Sequence, residues 1–143
     1  FLIAGKNPRK FAASFSRDPR VSFLGRVADI TDTLKGAAVV VAPLRLGGGT
    51  RVKILESWAA GKAVVSTSIG AEGIEYSNGR DISICDTAED FAREVVSLLK
   101  DEAKRNQMGE EALKKIRAYY NPERVIGALE AIYKGALEKK NNK

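Results

Sequence analysis

The stretch Pro43 to Gly61, read as PLRLGGGTRVKILESWAAG, constrains this chain more than any other. An apolar, β-branched run, Ala38-Val39-Val40-Val41-Ala42, ends at Pro43. Three consecutive glycines, Gly47, Gly48 and Gly49, then lead into a helical pattern with Val52, Leu55 and Ala59 on one face. The order is strand, glycine loop, helix. Such a loop lets backbone approach a ligand closely, and the start of a helix presents unpaired N–H groups and the positive end of a dipole to an anion. Thr50, Arg51 and Lys53 add a hydroxyl and two cations at that point, and Glu56 follows one turn further in. The combination reads as a phosphate and ribose site.

The flanking sequence repeats the alternation of strands and helices. Phe1 to Ala4 reads as a short buried strand stopped by the turn-rich Gly5-Lys6-Asn7-Pro8, and Pro8 suits the first turn of a short helix through Phe15. Val21 to Leu24 makes a second strand closed by Gly25. Asp29 to Asp32 supplies N-cap chemistry for a helix to about Lys35. Ala37 to Ala42 is a third strand whose unbroken apolar character fits burial on both faces. A helix from about Thr50 to Ala60 stops at Gly61, a candidate left-handed C-cap, before a fourth strand at Ala63 to Ser66. Ile82 to Cys85 is a fifth strand. Thr87 with Asp90, Asp101, and Asn121 with Pro122 start three further helices, ending near Leu99, Tyr120 and Lys139.

Strands separated by helices predict an α/β fold: a Rossmann-like open parallel sheet with helices on both faces and a helical C-terminus, in one domain spanning residues 1–143. Ligands in that architecture sit beyond the carboxyl ends of the strands. The loops expected there are Gly5 to Pro8, Gly25 to Ala28, Leu44 to Gly49 and Thr67 to Gly73.

Composition narrows the chemistry. With 44% hydrophobic and 29% charged residues, the chain has the make-up of a soluble globular protein, and no apolar run approaches the ~20 residues of a membrane span. Its single cysteine, Cys85, forms no internal disulfide and fits a cytoplasmic, reducing setting. The absence of histidine excludes Ser-His, Cys-His and histidine-zinc chemistry. The net charge of +6 owes much to the lysine-rich tail Lys134 to Lys143, so no nucleic-acid partner is inferred from it. Asp86, Glu89 and Asp90 cluster, but helix-start chemistry accounts for two of them, and no metal site is assigned. Phe1 opens directly in an apolar run, so the chain reads as a fragment.

The segment PLRLGGGTRVKILESWAAGKAVVSTSIGAEGI, preceded by Phe1-Leu2-Ile3-Ala4-Gly5 and Val21-Ser22-Phe23-Leu24-Gly25-Arg26-Val27, resembles the donor-binding region of GT-B glycosyltransferases, most closely retaining family 4. The resemblance covers about residues 1 to 120. It implies the C-terminal half of a GT-B fold, truncated at its N-terminus, belonging to a retaining hexosyltransferase in surface polysaccharide or glycoconjugate synthesis.

What the resemblance implies residue by residue is specific. Glu56 would accept hydrogen bonds from the nucleotide ribose, and Gly48, Gly49, Thr50, Arg51, Val52 and Lys53 would bind the donor diphosphate, with Arg51 the favoured phosphate side chain. Gly25, Arg26 and Val27 would flank the nucleobase. Relatives usually carry a second glutamate eight positions before the ribose acceptor, where this chain has Gly48, so no catalytic carboxylate is assigned. The implied co-substrate is a UDP-, GDP- or ADP-linked sugar, with no other cofactor. The acceptor, a glycan or lipid-linked sugar, would be held by an absent N-terminal domain, and peripheral contact with the inner membrane is left open. Further cationic phosphate-binding residues are expected upstream, so the fragment alone should bind nucleotide poorly and be inactive. Two alternatives stay in view: a GT-B-fold nucleotide-sugar epimerase and a non-catalytic nucleotide-binding or interaction domain. Trp58 is expected in the core, and Gly70 to Gly73 either form a tight loop or shape a sugar pocket.

Overall fold

The computed structural model describes residues 1–5 and 18–141, with side chains to residue 138. The helix expected between Pro8 and Phe15 lies outside the described residues. The chain divides into two compact units, Phe1–Thr33 and Leu34–Lys143.

In the first unit, β1 (Leu2–Ala4) pairs in parallel with β2 (Ser22–Gly25). The apolar run at the start suggests a buried strand, yet Phe1 is 64% and Leu2 54% exposed. A two-stranded pair has too little surface of its own to enclose a strand on both faces. The turns that follow the two strands are tied together by the Gly5 amide, which donates to the Gly25 carbonyl at 2.8 Å. At the end of this unit α1 (Thr31–Gly36) begins, where the Thr31 amide donates to Asp29 Oδ1 at 2.8 Å, and it runs into the second.

The second unit is a three-stranded parallel sheet in the order β3 (Val39–Ala42), β4 (Ala63–Ser66), β5 (Ser83–Ile84). Around it pack α2 (Val52–Ala59), α3 (Ala88–Lys100) and α4 (Glu102–Tyr119), and α5 (Pro122–Asn141) follows. Strand alternation separates two apolar layers. Val64, Ala42 and Val40 meet Ile54 and Trp58 of α2 and Ala112 of α4. Ala63, Val65 and Val39 meet Leu98, Phe91 and Val95 of α3 and Met108 of α4. Helices therefore cover both faces of the sheet. Burial on both faces, expected for the third strand, is realised in β4, all of whose residues are buried. Val39 to Val41 are only half-buried, because β3 is an edge strand of this sheet and β4 has a partner on each side.

The helix starts follow their cap residues. Thr87 Oγ1 accepts from the Asp90 amide at 3.1 Å, and Asp101 Oδ1 accepts from the Lys104 amide at 2.9 Å. The Asp90 carboxyl is held below the ordinary carboxylate range by the Thr87 hydroxyl and Arg93. Its contribution is therefore complete at neutral pH and is lost as pH falls through that lowered value. Cys85 packs against the α3 layer, where burial first, and then the carboxylates of Glu94, Asp90 and Asp86, push its thiol up.

Gly61 closes α2 with φ of 66°, the left-handed geometry of a C-cap glycine. Against this turn lies Gly109 of α4, where a Cβ would stand 2.9 Å from the Gly61 carbonyl carbon, closer still to its oxygen. Gly109→Ala gains about 1 kcal/mol of helix propensity but forces a backbone clash costing roughly 1–3 kcal/mol. Urea unfolding should report a net loss of about 1 kcal/mol. Gly127→Ala, on α5 with nothing within 4 Å, should instead stabilise.

The long α5 leaves an apolar stripe uncovered: Val125, Ile126, Leu129, Ile132, Tyr133 and Leu137 are 48–68% exposed.

Candidate functional site

All three strands of the second unit are parallel, so their carboxyl ends share one edge, and the glycine loop leaves from it. The loops after β3 and β4 are stitched together there. Thr67 Oγ1 donates to the Leu44 carbonyl and accepts from the Gly70 amide at 2.9 Å, while Ser66 Oγ donates to the Ala42 carbonyl at 3.3 Å. Gly70 is held so closely that a Cβ would stand 2.7 Å from the Ala42 carbonyl oxygen, which makes this a tight structural turn. Ser68 donates through its amide and its hydroxyl to Asp86 Oδ1, at 2.7 and 2.9 Å, fastening the loop to the end of β5. Asp86 and Asp90 are thus engaged with serine, threonine and arginine partners, and no group of three metal-ligating side chains occurs among the described residues. An open cleft of about 540 Å³ on this edge is lined by Leu44, Arg45, Thr67 to Ile69 and the start of α3.

Gly47 and Gly49 take φ values of 140° and 84°, where a side chain would be strained, so the loop needs glycine at both. Gly48, Gly49 and Thr50 are exposed. The helix begins at Val52 rather than Thr50, and Arg51 occupies its N-cap without a side-chain cap bond. The Arg51 carbonyl accepts from the Ile54 and Leu55 amides at 2.9 and 3.3 Å. The amides from Gly48 to Lys53 take no partner among the described residues. Unpaired amide donors at a helix start favour an anion.

The buried face of α2 differs from expectation. Ile54, Ser57 and Trp58 are buried, whereas Val52 is 50% exposed and Ala59 faces outward. Two periodic stripes compete in this sequence, and the one carrying the larger side chain wins because burying tryptophan removes more apolar surface from water. Ser57 satisfies its buried hydroxyl by donating to the Lys53 carbonyl at 2.6 Å. The outward face therefore holds Val52, Lys53 and Glu56, at i, i+1 and i+4. The exposed Glu56 carboxylate accepts no hydrogen bond among the described residues, about 6 Å along the axis from the first helical residue.

Arg51 is placed unexpectedly. Its side chain is 4% exposed, and Nη2 donates to the Gly47 carbonyl at 3.2 Å and to Glu72 Oε2 at 2.9 Å. The Glu72 partner is not apparent from the sequence. The signal was a cation at a helix N-terminus, which the dipole disfavours and which therefore calls for an anion nearby. Gly25, Arg26 and Val27 belong to the first unit, where Gly25 has φ of 70°, Arg26 is exposed and Val27 half-buried.

A parallel α/β sheet with a bare helix start at its carboxyl edge defines the class of open α/β domains that take ligands at that edge. Within this class the chain belongs to the family described as glycosyl transferases group 1, whose model matches residues 1–101. It is 32% identical over 120 residues to the lipopolysaccharide core biosynthesis mannosyltransferase LpcC of Rhizobium leguminosarum bv. viciae, covering 82% of this chain and 34% of that protein. The chain thus spans about a third of the length of this curated relative.

Solved structures share the fold. The Anabaena Alr3699/HepE complex with UDP and glucose superposes with a TM-score of 0.74 at 16% identity, over 91% of this chain and 40% of that one. S. aureus TarM, a G117R mutant with UDP, fondaparinux and α-GlcNAc-glycerol, gives 0.78 at 18% identity, over 93% and 28%. The C-terminal domain of a group 1 protein (LpcC) from Francisella tularensis gives 0.66 at 18% identity, over 80% and 60%. This is the α/β fold of GT-B glycosyltransferases.

Proposed function

We propose that residues 1–143 serve as the nucleotide-sugar-binding domain of a retaining hexosyltransferase in surface polysaccharide or glycoconjugate synthesis. The observation that carries this reading is the run of amides from Gly48 to Lys53 that take no partner among the described residues, followed on the exposed face of α2 by Glu56, whose carboxylate accepts from none of them. The amides take the diphosphate of a UDP-, GDP- or ADP-linked sugar, with Lys53 adding charge and Arg51 contributing its backbone. Glu56 accepts from the ribose hydroxyls.

Departure of the nucleoside diphosphate builds negative charge on its oxygens, and donors already in place stabilise that charge more than they stabilise the ground state. No carboxylate stands at Gly48, so no side chain is assigned to the reacting carbon. The ligands named for HepE and TarM include UDP, and the LpcC relative is named a mannosyltransferase, which support a nucleotide-sugar donor and sugar transfer over epimerisation.

The acceptor, a glycan or lipid-linked sugar, is held by a further domain of the full-length protein, which acts in the cytoplasm. No described helix is long and apolar enough to cross a membrane. No metal or other cofactor is called for. Calorimetric titration of UDP, GDP and ADP into the full-length protein should show one of them binding. Binding by none would reject the reading.

A further inference from the structure

We propose that Glu72 and Arg51 form a latch that holds the glycine loop in its anion-receptive shape, making both of them positioning residues for the donor. The inference rests on the reading of Gly48 to Lys53 as the diphosphate site. Its basis is the way the Arg51 charge is used. A guanidinium at the N-cap of α2 adds a cation to the positive end of a dipole, and its side chain is only 4% exposed. A buried cation in that place persists only if it is paired and hydrogen-bonded.

Nη2 meets both needs at once, donating to the Glu72 carboxylate at 2.9 Å and to the Gly47 carbonyl at 3.2 Å, while Nε is buried without a partner among the described residues. The guanidinium lies beneath the loop: a Cβ built on Gly47 would stand 3.9 Å from Nη1. The Gly47 carbonyl is thereby drawn toward Arg51, in a segment whose glycines otherwise leave the backbone free to change. Glu72 sits on the second loop, between Gly70, packed against the Ala42 carbonyl, and Ile74, which is buried. The latch thus ties the glycine loop to a loop held by its own hydrogen bonds and close packing.

The geometry separates this role from a direct phosphate contact. A guanidinium that served as phosphate ligand would be competed for by Glu72, and removing the carboxylate charge would tighten nucleotide binding. A latch predicts the opposite sign. Glu72 is 72% exposed, so Glu72→Gln removes the charge without leaving a cavity, but it leaves the buried Arg51 cation without its counter-charge, so a modest fall in melting temperature is expected and binding is compared well below both transitions.

In the full-length protein, UDP, or whichever of GDP and ADP the wild type binds, should bind Glu72→Gln about tenfold more weakly. Arg51→Lys should lose a similar factor although it keeps its charge, because the lysine side chain is one bond shorter and its ammonium falls short of the position from which Nη2 reaches both acceptors. Equal or tighter binding by Glu72→Gln would overturn the proposal. A second measurement needs no nucleotide: backbone ¹⁵N order parameters at Gly47 to Gly49 should fall in Glu72→Gln relative to the wild type. Unchanged order there would overturn the latch even if nucleotide binds. A wild type that binds no nucleotide would reject the donor reading instead, leaving the order parameters to decide on the latch.

Discussion

Glu56→Ala is expected to weaken nucleoside diphosphate binding by roughly 30-fold, corresponding to about 2 kcal/mol, while leaving the fold intact. Two ribose hydroxyls donating to one ionised carboxylate make charge-assisted bonds. In a partly hydrated site their combined worth lies toward the lower end of the range for such bonds. Glu56 is exposed and bonded to no described residue, so its loss should change stability by less than about 0.5 kcal/mol. A titration with a nucleotide lacking a ribose hydroxyl sharpens the test. The wild type should discriminate against the deoxy compound and Glu56→Ala should not, because the partner of the missing hydroxyl has already gone. Equal discrimination by both proteins would remove Glu56 from the site.

Lys115→Ala is expected to destabilise the chain by about 3 kcal/mol, a fall in melting temperature on the order of 10 °C. Lys115 Nζ lies 2.6 Å from Asp81 Oδ2, and the two side chains are only 13% and 3% exposed. Taking the ammonium away strands a buried carboxylate. Asp81 would still accept from the Ser77 amide at 2.9 and 3.1 Å, which holds the cost toward the lower limit for breaking such pairs. The contrast is the exposed pair Arg93 and Asp90, 2.7 Å apart on the surface of α3, where Arg93→Ala should cost under about 1 kcal/mol. Thermal melts of the two variants side by side check the difference. Similar shifts would mean that Asp81 is hydrated or compensated when Lys115 is gone.

Much of the second unit could be read from local chemistry. Thr87, Asp101 and Asn121 cap the helices that follow them, as residues that compete for backbone amides do. Gly61 takes the left-handed geometry its place after α2 suggests. The glycine triplet was legible because residues with side chains rarely adopt the φ values found at Gly47 and Gly49, and Trp58 because so large an apolar side chain gains most from the core. The remainder depended on partners far away in the chain. The buried stripe of α2 was ambiguous between two spacings until β3, β4 and α4 supplied surfaces to pack against. Apolar runs alone could not distinguish β4, buried throughout, from the half-buried β3, since that depends on strand order.

By itself the sequence determined the alternation of strands and helices, the capped helix starts at Thr87, Asp101 and Asn121, the glycine loop and the carboxylate one turn behind it. Each of these follows from backbone sterics or from bonds between residues a few positions apart. Only the tertiary structure decided what Arg51 does, because its anion lies 21 residues away on another loop. Beside a glycine loop a cation reads as a phosphate ligand, but folding buries its charge, and a buried charge takes the partner that the fold brings within reach.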